Sequence, residues 1–581
     1  MKKTKGARIV HGFLWIAILT GHAGWAGAPP SSDSKVSAAP AEVLFKSGAV
    51  YTVDGERSWA QAVGVRAGRI VYVGTDQGAG AYIGPGTRVI DLKGKMLLPA
   101  FQDAHIHPIS AGRQANACDL TGLTTAADYA AAIQKYAREH PGSGWITGGG
   151  WLMSAFGPGG QARREVIDAV VPDRPVLLSS SDGHTYWANT KALELAKITR
   201  DTPNPRDGRI DRDPRTGEAI GSLQEGAGDA VAAMVPPPSA AESEAGLRYA
   251  LKLLNGYGIT AMQDAQVFED DLKTYRALER RGELTMRVVA AIWWERMQGL
   301  EQIDRIKRLR SEYASPLIDP GTVKIMQDGV LENYTAVLLQ PYLKKPGNVR
   351  GIPMVDPELL KEAVTRLDAA GFQVHFHAIG DGAVREALDA IEAARRHNGD
   401  LGHRDHIAHL ELVDPRDVPR FRELGVIANF QPLWAFADEY ITKLTMPFMG
   451  PERSARLYPI GTLYRSGAVI AFGSDWNVSS PNPLEEIQVA VTRMGPAGET
   501  HTPFLPGERI DLPEALAAFT INAAYTNRLE KTTGSIEVGK NADLIVLDHN
   551  LFAVPVTDID KSKVVLTLFG GRAVHGELAD L

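Results

Sequence analysis

Short apolar runs bounded by glycine or small polar residues recur along this chain, and the spacing between them changes. Within residues 43–90 they lie close together. Ala62-Val63-Gly64-Val65-Arg66 and Arg69-Ile70-Val71-Tyr72-Val73 flank the turn Ala67-Gly68. Runs of this length separated by glycine turns predict β-strands. The far end repeats the pattern in Asp543-Leu544-Ile545-Val546-Leu547 and in residues 563–569, which precede Gly570-Gly571. Two β-rich ends predict one small sheet domain assembled from residues 43–97 and 531–581.

Between those ends the spacing opens. Apolar strand candidates at residues 175–179, 258–262, 286–290, 323–326, 372–377, 404–409, 425–429 and 469–473 alternate with longer stretches. Several of these are amphipathic with helical periodicity, as at 357–370, 383–396 and 513–524. Strand–helix alternation across residues 98–530 predicts an α/β protein built on a (β/α)8 TIM-like barrel. An open doubly wound sheet is the alternative. No glycine-rich phosphate loop follows an early strand to support it.

In such a barrel the chemistry collects at the C-terminal ends of the strands. The segment Phe101-Gln102-Asp103-Ala104-His105-Ile106-His107-Pro108 follows the apolar run Met96-Leu97-Leu98-Pro99-Ala100. Residues two apart on a strand share a face, so His105 and His107 can offer two nitrogens to one metal ion. Later strand ends add Lys324, His377, His409 and Asp475. Lys324 interrupts an apolar strand, where a buried ammonium is costly. It either points outward, sits neutral, or reacts with CO2 to give a carbamate that bridges cations. His375 and His377 share a face, one as ligand and the other as its support. His409 follows a fuller apolar stretch than His403 or His406. Asp475, in Phe472-Gly473-Ser474-Asp475, can bind metal and take a proton from water, or merely cap the next helix. Each residue alone is more often structural; the ordered set points to a metal centre.

Composition narrows the setting. At 581 residues the chain exceeds one ordinary core, and a net charge of −7 gives no reason to expect nucleic acid or an anionic membrane as partner. Cys118 is the only cysteine, so no intramolecular disulfide forms, and a buried inert thiol is expected. Lys2, Lys3, Lys5 and Arg8 precede a short apolar stretch and Ala26-Gly27-Ala28, the pattern of a signal peptide over residues 1–28. Cleavage at Ala26 is the alternative, because Pro29 follows Ala28. A flexible Pro/Ser/Ala linker is expected over residues 29–42. The expected location is the periplasm or the medium, with no membrane attachment after cleavage; an uncleaved membrane anchor is the alternative.

The ordered landmarks resemble the amidohydrolase superfamily, and within it the YtcJ-like branch of amidohydrolase family 3. They include residues 98–107, Gly150-Trp151, residues 182–189, Asp328-Gly329, His377-Ala378-Ile379-Gly380-Asp381, Gln431-Pro432 and residues 534–544. The resemblance implies a TIM-like barrel carrying a small β-sandwich built from both chain ends, and a divalent metal, usually zinc, one or two per chain. Its ligands would be His105, His107, Lys324 as a carbamate, His377 (favoured over His375), His409 and Asp475. Asp475 would also activate the hydrolytic water. By position, Trp151, His184 and Trp187 are implied to bind substrate, or else to pack the barrel end. Ala100, Asn477 and Glu332-Asn333-Tyr334 depart from the family pattern beside the site. The implied activity is hydrolysis of non-peptide carbon–nitrogen bonds in amides, N-acyl compounds or cyclic amides. An esterase, lactonase or carbamate hydrolase on the same site is the second reading, and a silent metal- or ligand-binding protein the third. The expected partner is a small-molecule substrate, and a homo-oligomer is left open.

Overall fold

The computed structural model describes residues 39–142, 144–157 and 159–581. The signal peptide and most of the linker expected from the sequence lie outside these residues. Ala41 and Glu42 do not belong to a linker. Their amides donate to Tyr82 O and Val65 O, at 2.8 Å each, and tie the chain to a sheet edge.

Residues 40–581 form one compact unit. At its centre eight parallel strands follow chain order: β1 (Phe101–Ile106), β2 (Ile259–Val267), β3 (Arg287–Trp293), β4 (Ile318–Met326), β5 (Gln373–Ala378), β6 (His406–His409), β7 (Ile427–Phe430) and β8 (Ile470–Phe472). Their residues are almost wholly buried, as expected of a parallel sheet covered by helices. The expected helices appear as Pro357–Ala369 and Asp381–Asn398. The stretch near 513–524 is two helices, Leu512–Ala518 and Ile521–Thr526, because Thr520 leaves helical geometry (φ −125°, ψ −93°).

No regular ladder joins β8 to β1 among the described residues. The ring is closed at their C-terminal ends instead. Asp475 N donates to His105 O at 2.7 Å, and His107 N to Trp476 O at 2.8 Å. Asp103, fully buried, accepts from His105 N and from both Ser474 N and Ser474 Oγ. Gly473 makes this approach possible: a Cβ there would lie 2.4 Å from His105 N. Inside the barrel, buried amides are satisfied by threonine hydroxyls, as in Gln102 Nε2 to Thr533 Oγ1 and Thr322 Oγ1 to Gln373 Oε1.

The two chain ends meet as anticipated. A six-stranded sheet joins Met96–Pro99 and Ala49–Tyr51 to Leu544–Leu547 and Val564–Phe569. A four-stranded sheet from residues 43–91 packs on it, sharing a core of Phe45, Val63, Ile70, Leu97, Val546 and Leu566. Only Ala100 separates the sandwich strand Met96–Pro99 from β1, which fixes the barrel's first strand to a rigid body.

One expectation is overturned. Residues 175–179 are not a barrel strand. Val176–Ser180 belongs to a second six-stranded sheet inserted between β1 and β2, ordered Gly208–Arg212, Ala219–Glu225, Thr185–Ala188, Val176–Ser180, Ile146–Trp151, Cys118–Asp119. A short apolar run does not encode which sheet it joins. The insert has its own core around Tyr129, Trp151, Leu178 and Trp187. Cys118 is buried in it as a free thiol, pushed by burial up to about 12, so it is inert as expected.

Candidate metal centre

His105 ends β1, and His107 follows it at the start of helix Pro108–Gln114. Their Nε2 atoms lie 3.4 Å and 3.1 Å from Asp475 Oδ1, which extends from beyond β8. These three side chains form the His/Asp cluster that could hold a metal ion, with ligand atoms within 4.8 Å of one another. His409, at the end of β6, brings Nδ1 to 3.9 Å from Asp475 Oδ2, and its ring sits 4.4 Å from that of His377. Lys324 Nζ is 3.5 Å from His105 Nε2. All six residues expected from the sequence therefore converge at one barrel end.

Strand register explains the division of labour among the histidines. Lys324, His375 and His406 are neighbours in register across β4, β5 and β6. His375 Nε2 meets His105 Nδ1 at 2.8 Å, so His375 orients His105 from beneath. His377, one pleat further up, reaches the cavity. Its Nδ1 is held by Asp328 Oδ1 at 3.2 Å, leaving Nε2 free as a ligand atom. Asp328 is fixed by the amides of Val337, Ile379 and Gly380. A carboxylate behind a ligating histidine sets its tautomer and orientation.

The electrostatics suit a cation. Burial, then the nearby Lys324, lowers His105 to about 3; burial also holds His377 and His409 well below the usual imidazole range. Neutral imidazoles are the form that ligates metal. Burial lowers the Lys324 ammonium to about 7. Burial alone would raise Asp475, but the His105 and His107 interactions outweigh it and keep the carboxyl well below its usual range. Asp475 Oδ1 faces only the His105 and His107 Nε2 atoms, and His409 Nδ1 is buried without a hydrogen-bond partner, so the donor set is open toward an ion. Nitrogen and carboxylate donors fit a divalent transition metal. His409 (φ +80°) and Asp475 (φ +52°) both hold left-handed backbone, which costs of order 1–3 kcal/mol each.

The expected substrate residues divide. His184 lines the cavity, its ring 5.2 Å from that of His377. Trp151 and Trp187 do not: they are fully buried in the insert core, 5.7 Å apart, and each indole donates to a backbone carbonyl. Large aromatics with satisfied N–H groups there are packing residues.

Other residues had no local signal in the sequence. Glu225, 41 residues from His184, bonds its Nδ1 at 3.0 Å and is held by Thr335 Oγ1. Burial opposes charge on His184, but Glu225 outweighs it and raises the imidazole to about 9. Gly329 must be glycine here, since a Cβ would meet Glu225 Oε1 at 2.0 Å. Trp434 stacks on His409 at 5.3 Å with the rings 7° from parallel.

A family model described as "Amidohydrolase family" matches residues 88–575. The chain belongs to the amidohydrolase family. It is a hydrolase acting on carbon–nitrogen bonds other than peptide bonds. It is 28% identical over 540 residues to the putative amidohydrolase YtcJ of Bacillus subtilis (strain 168), covering 92% of this chain and 99% of the relative. It is 27% identical over 533 residues to the N-substituted formamide deformylase of Arthrobacter pascens, covering 90% and 96%. Among solved structures, an uncharacterized metal-dependent hydrolase from Pyrococcus furiosus superposes with a TM-score of 0.68 at 27% identity, over 87% of this chain and 99% of that one. The amidohydrolase barrel and the YtcJ-like resemblance read from the sequence both stand.

Proposed function

We propose that this amidohydrolase is a zinc-dependent enzyme that cleaves amides, N-acyl compounds or cyclic amides, with Asp475 as the general base. The observation that carries this reading is the Asp475 carboxylate beside His105 and His107, with Oδ1 facing only their Nε2 atoms and the residue lining a cavity of about 650 Å³. His105, His107, His377, His409 and Asp475 would hold one or two ions. Lys324, whose ammonium burial lowers to about 7, would add CO2 at Nζ through its neutral form, lose a proton, and offer carbamate oxygens as further ligands.

A bound zinc would polarise the carbonyl and bring the pKa of water to about 7. Asp475 accepts the proton of the attacking water and delivers it to the leaving nitrogen, which departs as an amine. His184, kept cationic by Glu225, presents its remaining N–H toward the acyl oxygen. Asp328 and His375 hold His377 and His105 in register for this. The walls Leu433, Trp434 and Phe436 exclude bulk water from one side.

A relative named as a formamide deformylase places N-substituted formamides first in the test panel. The zinc-reconstituted protein should hydrolyse members of a panel of formamides, N-acetyl amines, cyclic amides and matched esters, and lose that activity on chelation. Activity confined to the esters, or untouched by chelation, would overturn the reading. The basic and apolar pattern of residues 1–28 supports export to the periplasm or medium, which sequencing the mature N-terminus would test.

A further inference from the structure

Beyond the metal end, the cavity wall is crowded with carboxylates. Asp182, Glu332, Glu411 and Asp438 all line it. Among the described residues none of the four has a basic partner within ion-pair distance. Their partners are neutral: Thr445 Oγ1 for Glu332, the Tyr458 hydroxyl for Glu411, Ile441 N for Asp438, and Ser180 Oγ with His184 N for Asp182. The two cations on the cavity are already used, His184 by Glu225 and Lys561 by Asp558.

Glu332 and Glu411 are 9% and 4% exposed. Buried carboxylates are normally paired, because an uncompensated charge is costly to desolvate. Glu411 lines the cavity with Oε2 buried and unbonded, and the Asp182 Oδ2 atom is unpartnered as well. Two unpartnered acceptors thus belong to carboxylates that line the cavity. Burial, with the charges of Asp182 and Asp438 behind it, pushes Glu332 up to about 7, and a positive ligand would relieve that crowding. Phe436 and Tyr440 line the same space and offer aromatic faces, which also favour cations.

We infer that this wall is a recognition subsite for a cationic group, an ammonium or guanidinium carried by the substrate at a distance from the bond that is cleaved. This rests on the hydrolase reading above and adds the substrate class.

The test uses the zinc-loaded full chain and matched pairs that differ only in charge: N-formylputrescine against N-formylpentylamine, and the corresponding N-acetyl pair. The cationic member should have kcat/KM higher by about tenfold or more, as for a buried charge pair. That ratio should fall toward one in Glu332→Gln and in Glu411→Gln. Asp182→Asn, at a more exposed site, serves if the buried variants do not fold. Turnover of both members at equal rates, with the ratio unmoved by the substitutions, overturns the subsite and leaves the hydrolase reading standing. Calorimetry with pentylammonium and with pentanol separates the opposite case. Ammonium-selective binding abolished by the substitutions, without turnover of any amide, keeps the subsite and removes the hydrolase reading. No selective binding and no charge preference removes the subsite. A variant that loses zinc in proportion assigns the carboxylates to the metal and overturns it too.

Discussion

The carboxylate of Asp475 approaches two imidazoles from a residue whose φ is +52°, and nothing in the local sequence relieves that conformation. The surrounding hydrogen bonds hold it there, through Asp475 N to His105 O and Val478 N to Asp475 O. Asp475→Asn keeps the shape and removes the proton acceptor. Its kcat on the zinc-reconstituted protein should fall by about 10²–10⁴-fold, the usual contribution of a positioned base. Near-normal steady-state rates would end the proposed role. The His184–Glu225 pair makes a different prediction, about pH and stability. His184 titrates near 6.5 unfolded and about 9 folded, so its stabilisation is full below the first value and lost as pH rises through the second. Glu225 is lowered from 4.5, so its share is present above that pH and lost on acidification. Between pH 7 and pH 10, thermal unfolding of the wild type should therefore lose more stability than that of Glu225→Gln. Parallel curves for the two proteins would mean that the pair is not charged.

At the scale of elements, the weak point of the ring is the seam between β8 and β1. Small side chains and Asp103 replace a ladder there. Gly473→Ala would force a Cβ onto His105 N, an overpacking that costs about 1–3 kcal/mol. Thermal unfolding should show that loss, and zinc titration should show weaker binding, because the displaced backbone carries His105. A variant as stable as the wild type would show that the seam has slack. The barrel strands were legible in the sequence for the same reason that the seam works. Each is a short, mostly apolar run, and at or just beyond the ends of five of them stand the polar residues His105, Lys324, His377, His409 and Asp475. The insert was not legible. Residues 175–179 look like a barrel strand locally, and only their pairing with Ile146–Trp151 and Thr185–Ala188 says otherwise. Trp151 and Trp187 went with it into the packing role that the sequence had left as their alternative, since a lone tryptophan reads alike in a pocket and in a core. Glu225 escaped because its partner is remote and its strand carries no metal-like spacing.

At the scale of the molecule, a centre fed by β1, β4, β5, β6 and the loop after β8 links most of the ring through one cluster. An ion bound there stabilises the fold by mass action, about 2.7 kcal/mol when free ion is at a hundredfold its dissociation constant. Chelation should therefore lower the unfolding temperature together with activity, and added zinc should restore both. Loss of activity without a change in unfolding temperature would place the ion outside this cluster.

The insert gives the cavity a composite origin. Leu152, Ser181, Asp182 and His184 reach it from a sheet with its own core, while the ligand cluster stands on the barrel. A wall that folds around its own aromatic cluster is a transplantable cassette. Exchanging residues 118–225 for the corresponding block of a related amidohydrolase, with His184 and Glu225 kept, would alter what enters the cavity while leaving the ligand cluster on the barrel in place. Such a layout lets a lineage acquire new substrates by replacing one wall around a metal cluster that stays where it is.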